Sequence, residues 1–330
     1  GAIKGICQSD RGLRGFIHET LSPLTREDAA ASIQTATERV IKQWVESLVA
    51  KRPVKYVGLS GGVFANVRLN QVIAEIDGIE EVYVFPAMGD EGLPIGNAVD
   101  AIIREVGVND LERGRLSSLY LGYPYTGKLL FEAAARQPDK IVEELAPEDT
   151  AKKCAKLLKN GDVGAIFFGG MEMGPRALGA RSILASPAQR DVNDSINKRL
   201  ERTEFMPFAP YIRDTDAEAI FDINATNRHA CNFMTITASV KEAYRDVIPA
   251  VVHVDQTARP QIITREQNWL YYDILSQFKE ATGIPCLVNT SFNAHEEPII
   301  NTPEEALQAL TDNRIDFLVS DKGLIFNAER

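Results

Sequence analysis

The chain has 330 residues, 45% of them hydrophobic and 25% charged, and carries a formal net charge of −10. That composition fits a globular protein with room for two domains, each burying its own core. It argues against a partner held by general phosphate attraction, which needs a basic face, and no apolar run approaches the roughly 20 residues that span a bilayer.

The start, Gly1-Ala2 with no methionine, reads as a piece of a longer chain. From 26 to 49, apolar and small residues recur at helical spacing (Ala30, Ile33, Ala36, Val40, Ile41, Trp44, Leu48), which predicts an amphipathic helix packed on a sheet. A short strand at 56–59 ends in Ser60-Gly61-Gly62 and runs into a helix near Phe64. A second strand, 82–85, ends in Pro86-Ala87-Met88-Gly89-Asp90-Glu91-Gly92 before a helix containing 98–106. Two strand–glycine–helix corners in succession mark an α/β nucleotide-type domain. Between 110 and 146 the pattern loosens into linker and connecting structure, where the domain boundary is expected.

A new unit follows, with a helix over 149–160 stopped by Gly161, a strand over 163–168, and a glycine- and arginine-rich segment. Residues 189–200 predict a helix with Val192, Ile196 and Leu200 on one face; Lys198 and Arg202 share another if it continues that far. A helix over 269–282 ends at Gly283 and feeds a strand over 285–289. Thr302-Pro303-Glu304-Glu305 is a capping box opening a helix to Leu310, and strands at 317–319 and 324–326 finish the chain.

The densest chemical signal is the run from Gly169 to Ser182, where glycines clear space beside the backbone and Arg176 and Arg181 present planar forks suited to phosphate or carboxylate. A tight turn with surface ion pairs is the alternative. Lys198, Arg199 and Arg202 add three cations just beyond. His253-Val254-Asp255 sits at the end of an apolar strand, with both polar side chains on one side, and either positions Arg259 for phosphate or pairs with its neighbours. Asn289-Thr290-Ser291-Phe292-Asn293 leaves a buried strand as a run of small hydrogen-bonding side chains, able to grip phosphate or ribose oxygens or to build an elaborate turn. In the first unit, the Gly61-Gly62 corner places free backbone amides before a helix, and Asp90-Glu91 is either a Mg-nucleotide acidic pair or a helix cap. The four cysteines, Cys7, Cys154, Cys231 and Cys286, lie far apart and read as reduced thiols of a cytoplasmic protein.

Six segments in order, SGGVFANVRLN, PAMGDEGLPIGNA, MEMGPRALGARSILA, RTEFMPFAP, HVDQTARPQ and LVNTSFNAHEEPI, resemble the O-carbamoyltransferase family of nodulation and antibiotic-biosynthesis enzymes, with a spelling nearest the nodulation branch. The resemblance covers nearly the whole chain. It implies that residues 1–140 are the carboxy-terminal part of an actin-like ATPase domain, similar to the universal tRNA threonylcarbamoyl-transfer protein. Residues 141–330 would be a YrdC-like α/β domain. The second would form carbamoyl adenylate from carbamoyl phosphate and Mg-ATP, and the first would pass the carbamoyl group to a hydroxyl of a sugar-like acceptor such as a lipo-chitooligosaccharide.

By motif, the resemblance puts Arg176, Arg181, Arg259 and Ser291 at the chemistry. Ser182, Asn289, Thr290, Asn293, Lys198, Arg199 and Arg202 would assist with phosphates, and Gly61, Gly62 and Asn66 with nucleotide. Asp90 matches a ligand of a divalent metal, iron by family analogy, whose histidines would precede Gly1. Many relatives have arginine where Met206 stands. A threonylcarbamoyl-adenylate enzyme of tRNA modification and a nucleotide-binding module without turnover are the competing readings; the acidic composition, with no basic stripe, disfavours tRNA.

Overall fold

The computed structural model describes residues 10–108, 116–201 and 208–328. Helix α1 (Asp10–Leu21) leads to α2 (Arg26–Lys51), which opens at Thr25, whose hydroxyl caps the Asp28 amide. Strand β1 (Tyr56–Leu59), α3 (Val67–Ala74), β2 (Glu81–Val84) and α4 (Leu93–Val106) follow, with β1 and β2 paired in parallel. The expectation that α2 packs on a sheet is corrected: Val45 turns toward α3, while Ile33, Val40, Trp44 and Leu48 are exposed. A two-stranded sheet with strands about 4.8 Å apart is too narrow to cover so long a helix.

The stretch expected to be linker contains α5 (Gly127–Ala134), followed by β3 (Lys140–Glu144). The second unit continues with α6 (Pro147–Lys159), β4 (Gly164–Phe167), β5 (Arg181–Ala185), α7 (Asp191–Arg199) and β6 (Ala209–Arg213). Short helices α8 (Ala217–Ile220), α9 (Arg228–Cys231) and α10 (Glu242–Arg245) flank β7 (Ala238–Ser239), which pairs with β8 (Thr257–Ala258). Then come β9 (Gln261–Ile263), α11 (Trp269–Thr282), β10 (Cys286–Ser291), α12 (Pro303–Thr311), β11 (Phe317–Ser320) and β12 (Gly323–Asn327).

Eight strands form one mixed sheet in the order β3-β12-β11-β4-β5-β10-β6-β9, parallel at β4–β11 and β6–β9. Strand alternation sorts the side chains into two faces. Ile166, Leu184, Tyr211, Leu287 and Val319 meet α6 and α11 on one side. Phe167, Ile183, Val288 and Leu318 meet α5 and α12 on the other. The helices are closed where their sequences provide for it: Gly283 takes the left-handed conformation after α11, and Thr302 and Glu305 form a reciprocal capping box at α12. Helix α7 ends at Arg199, and Glu201 (φ 56°) turns the chain away, so no helical face extends from Lys198 to Arg202; Arg202 and Met206 lie outside the described residues.

The two units share a continuous core, and the seam is hydrogen-bonded. Asn70 Nδ2 of α3 donates to Thr235 O at 2.7 Å, and the Val82 amide of β2 donates to Thr226 O at 2.9 Å.

Candidate active site

The glycine–arginine run forms a loop closed by five polar side chains from distant parts of the chain. Leu178 O accepts hydrogen bonds from the Tyr120 hydroxyl (2.6 Å), the Gln261 amide (2.7 Å) and the Tyr211 hydroxyl (3.1 Å). Asn289 Nδ2 donates to Ala177 O at 3.0 Å, and Asn268 Nδ2 to Gly179 O at 2.9 Å. Gly179 (φ +107°) could carry no side chain, because a Cβ there would lie 2.2 Å from the Tyr211 hydroxyl. Buried polar groups satisfied in this way fix one conformation.

Arg176 comes one residue before this pinned segment. Arg259 sits two residues before Gln261, whose amide reaches the same loop. Burial lowers the Arg176 pKa below the usual guanidinium range, and burial together with the Arg176 charge pushes Arg259 down to about 9. The Nε of each is buried without a hydrogen-bond partner, and neither has a carboxylate partner among the described residues. The surface-ion-pair alternative therefore does not describe them. Two half-buried, mutually repelling cations are a costly arrangement.

Arg181 is placed differently. Adjacent strand residues point to opposite faces, so Arg181 leaves Ser182 and stacks 3.7 Å over the Phe167 ring. Its terminal nitrogens donate to Phe168 O, Ala180 O, Gly169 O and Asn301 O, leaving Nε without a partner. Burial pushes its pKa down to about 10, against the raising influence of Glu172. This guanidinium is a clamp on the loop backbone.

Most of the other expected residues hold structure, while Lys198 and Gly62 stay open. Ser182 accepts from the Gly179 amide at 3.0 Å. Asn293 donates to Ala294 O and Glu297 O. Arg199 pairs with Asp316 at 3.0 Å, and Lys198 is exposed. Thr290 and Ser291, half-buried, lie within β10 opposite Ile183 and Ser182. Asn66 caps the Leu69 amide and exchanges hydrogen bonds with Gln34. The Gly61 amide, expected to be free, donates to Met88 O at 2.8 Å, while Gly62 opens a single 3-10 turn in open space.

The expectation that His253 ends an apolar strand is corrected: Pro249–Val251 is a 3-10 turn, and the chain folds back so that the His253 amide donates to Thr257 O at 2.8 Å. Proline supplies no ladder donor and favours the turn. Thr257 gives its single hydroxyl proton to Asp255 Oδ1 (2.7 Å), so His253 Nδ1, 3.2 Å from Thr257 Oγ1, is the donor of that contact. The neutral ring therefore keeps its lone pair on Nε2. Burial, then the Arg259 charge, lowers its pKa. Asp255 is held low despite burial by the Thr257 hydroxyl and amide, and its Oδ2 is 3.9 Å from Arg68 of α3.

Asp90 is exposed at the start of a 3-10 turn, and no group of three or more His, Cys, Asp or Glu among the described residues is arranged to hold a metal ion. The described residues therefore do not assemble the metal centre implied by resemblance, and no step below runs through one. The second corner does reach the arginine loop: a Cβ on Gly174 would lie 3.4 Å from Pro86 O. Residues that sequence reasoning passed over include Glu172, Tyr120, Gln261 and Asn268, all buried in the loop's support or, for Tyr120, nearly so. A polar side chain such as Gln261 beside an apolar run was the available signal.

The chain is thus a mixed α/β protein with an arginine-bearing loop beside a large mixed sheet. The family is settled by comparison. The family model described as carbamoyltransferase C-terminus matches residues 155–326, and that described as carbamoyltransferase N-terminus matches residues 14–99. The chain belongs to the carbamoyltransferase family. It is 33% identical to nodulation protein NolNO of Sinorhizobium fredii over 92% of this chain and 45% of that one. It is also 33% identical to nodulation protein NolO of Bradyrhizobium diazoefficiens, over 90% and 54%, and 34% identical to an uncharacterized Methanocaldococcus jannaschii protein, over 91% and 49%. The chain thus spans about half the length of these relatives. Among solved structures, full-length HypF in a phosphate- and nucleotide-bound form is similar over 56% of this chain and 22% of that one, at 20% identity and a TM-score of 0.38.

Proposed function

We propose that this chain supplies the carbamoyl-phosphate and ATP chemistry of an ATP-dependent O-carbamoyltransferase, forming carbamoyl adenylate for transfer to a sugar-like hydroxyl, with a lipo-chitooligosaccharide as the acceptor class. In this reading residues 141–330 form the YrdC-like unit, and residues 1–140 belong to the actin-like unit that performs transfer. The observation that carries it is the Arg176–Arg259 pair: two half-buried guanidiniums with buried, unpartnered Nε atoms and no carboxylate partner among the described residues.

The chemistry requires little from side-chain titration. Loss of phosphate from carbamoyl phosphate to water leaves carbamate, whose oxygen attacks the α-phosphorus of ATP as pyrophosphate departs. One carbamoyl phosphate, one ATP and one water give one carbamoyl adenylate, one phosphate and one pyrophosphate. Negative charge gathers on transferring and leaving phosphoryl oxygens, and fixed guanidinium donors stabilise it without reorganising. Mg accompanies the ATP.

The test is to incubate the protein with Mg-ATP and carbamoyl phosphate without an acceptor and detect carbamoyl adenylate by mass spectrometry. Product that needs both substrates supports the reading. A folded, ATP-binding protein that makes none, also when joined to the amino-terminal part of a relative, overturns it.

A further inference from the structure

We propose that Glu172 is the positioning residue of the anion site, folding the loop that presents Arg176 by gathering its backbone amides on one carboxylate oxygen. The inference rests on the reading of Arg176 and Arg259 as the anion-binding pair, and extends it to a residue of the same segment to which the resemblance assigned no role.

Glu172 is 5% exposed. Its Oε1 accepts hydrogen bonds from the amides of Leu178 (2.7 Å), Ala180 (2.7 Å) and Arg181 (3.2 Å). The intervening Gly179 amide goes to Ser182 Oγ. Every amide from 178 to 181 therefore points inward, and three of the four converge on one negative charge. This is the nest geometry that backbone amides adopt around an anion, here filled by a side chain of the protein itself. Hydrogen bonds to an ionised acceptor are roughly twice as strong as neutral ones.

The consequence for Arg176 is geometric. With residues 178–181 wrapped on Glu172 and the Leu178 carbonyl pinned from the opposite side by Tyr120, Tyr211 and Gln261, the chain reaching back to Arg176 has a fixed exit. The same carboxylate supports Arg181 electrostatically. Glu172 and Arg181 thus balance one another within the frame, and Arg176 and Arg259 are left as the uncompensated cations. Glu172 touches no ligand in this scheme.

The test is a double-mutant cycle on the affinity for inorganic phosphate, measured by titration calorimetry on wild-type, E172Q, R176A and E172Q/R176A proteins. Glutamine keeps the size and one oxygen but loses the charge. E172Q is expected to weaken phosphate binding about tenfold, the loss of one charge-assisted interaction. Because it acts through Arg176, it should add less than about twofold in the R176A background. A purely structural role would lower stability but leave the two losses additive.

E172D, which keeps the charge but draws the oxygen back, is carried in parallel and should show the same non-additivity. Amide hydrogen exchange across 176–182 should quicken in E172Q while the α11 segment is unchanged. Wild-type affinity in E172Q and E172D, or losses that add fully to that of R176A, overturns the role of Glu172 and leaves the anion site standing. If R176A itself binds phosphate like the wild type, the anion-site reading fails and the positioning proposal with it.

Discussion

Replacing Arg259 by methionine should stabilise the ligand-free protein and remove its stabilisation by phosphate. Methionine fills the space of the aliphatic stem but takes away a charge whose pKa burial and the neighbouring Arg176 push down to about 9. At about 1.4 kcal/mol per tenfold change in proton affinity, holding that group charged in the fold costs on the order of 5 kcal/mol before solvent screening. Screening and local relaxation reduce this, and a net gain of about 1–2 kcal/mol is expected, in line with replacing buried charge by packed apolar atoms. Near the midpoint this raises the melting temperature of a chain of this length by roughly 1.5–3 °C. In the wild type, phosphate at a hundred times its Kd should add about 2.7 kcal/mol, whereas R259M should gain almost nothing. Differential scanning calorimetry with and without phosphate reads both effects. An R259M protein that melts below the wild type without ligand, yet shifts equally with phosphate, would refute the reasoning.

The pH dependence of the same pair follows from linkage. Below about pH 9 Arg259 is charged in both folded and unfolded chains and the wild type bears the full penalty; above it the unfolded chain binds more protons, so the stability advantage of R259M should shrink as pH rises in urea titrations. Q261L removes a donor from Leu178 O and an acceptor from Asn289, and should cost about 1–3 kcal/mol in urea unfolding; a change under about 0.5 kcal/mol would remove Gln261 from the loop's support. T302A breaks the capping box of α12 and should cost about 1 kcal/mol, read from the urea midpoint, with no change in phosphate affinity. Cys154, Cys231 and Cys286 are buried, and burial raises the thiol pKa of each, so iodoacetamide should label them only in denaturant; native labelling at any of the three contradicts their placement.

What the sequence revealed follows from where its signals are local. Helix α11 was delimited because Asn268 caps it and Gly283 ends it within the same short stretch, and α12 because its capping box is spelled in consecutive residues. Strand β5 escaped notice because its edge residues, Arg181 and Ser182, read as loop chemistry, although the chain at that point already lies between β4 and β10. Helix α5 escaped because eight residues give too few turns for a periodic pattern. Arg176 and Arg259 were visible through their glycine and turn context. Arg181 looked identical in sequence, and only strand alternation and the Phe167 ring reveal it as a backbone clamp. Tyr120, Gln261 and Asn268 act by meeting the loop across the fold, and such meetings leave no spacing to read in one chain; Glu172 acts within the loop, six to nine residues from its partners, where its spacing matches neither helix nor strand.

The most direct test of the central claim is exchange of labelled pyrophosphate into ATP, with carbamoyl phosphate present or absent, in the wild type and R176A. The account expects exchange that requires carbamoyl phosphate and falls tenfold to a hundredfold in R176A, the effect of losing about 1.5–3 kcal/mol of charge-assisted binding. Exchange supported by threonine and bicarbonate in place of carbamoyl phosphate, or exchange undiminished in R176A, would contradict it.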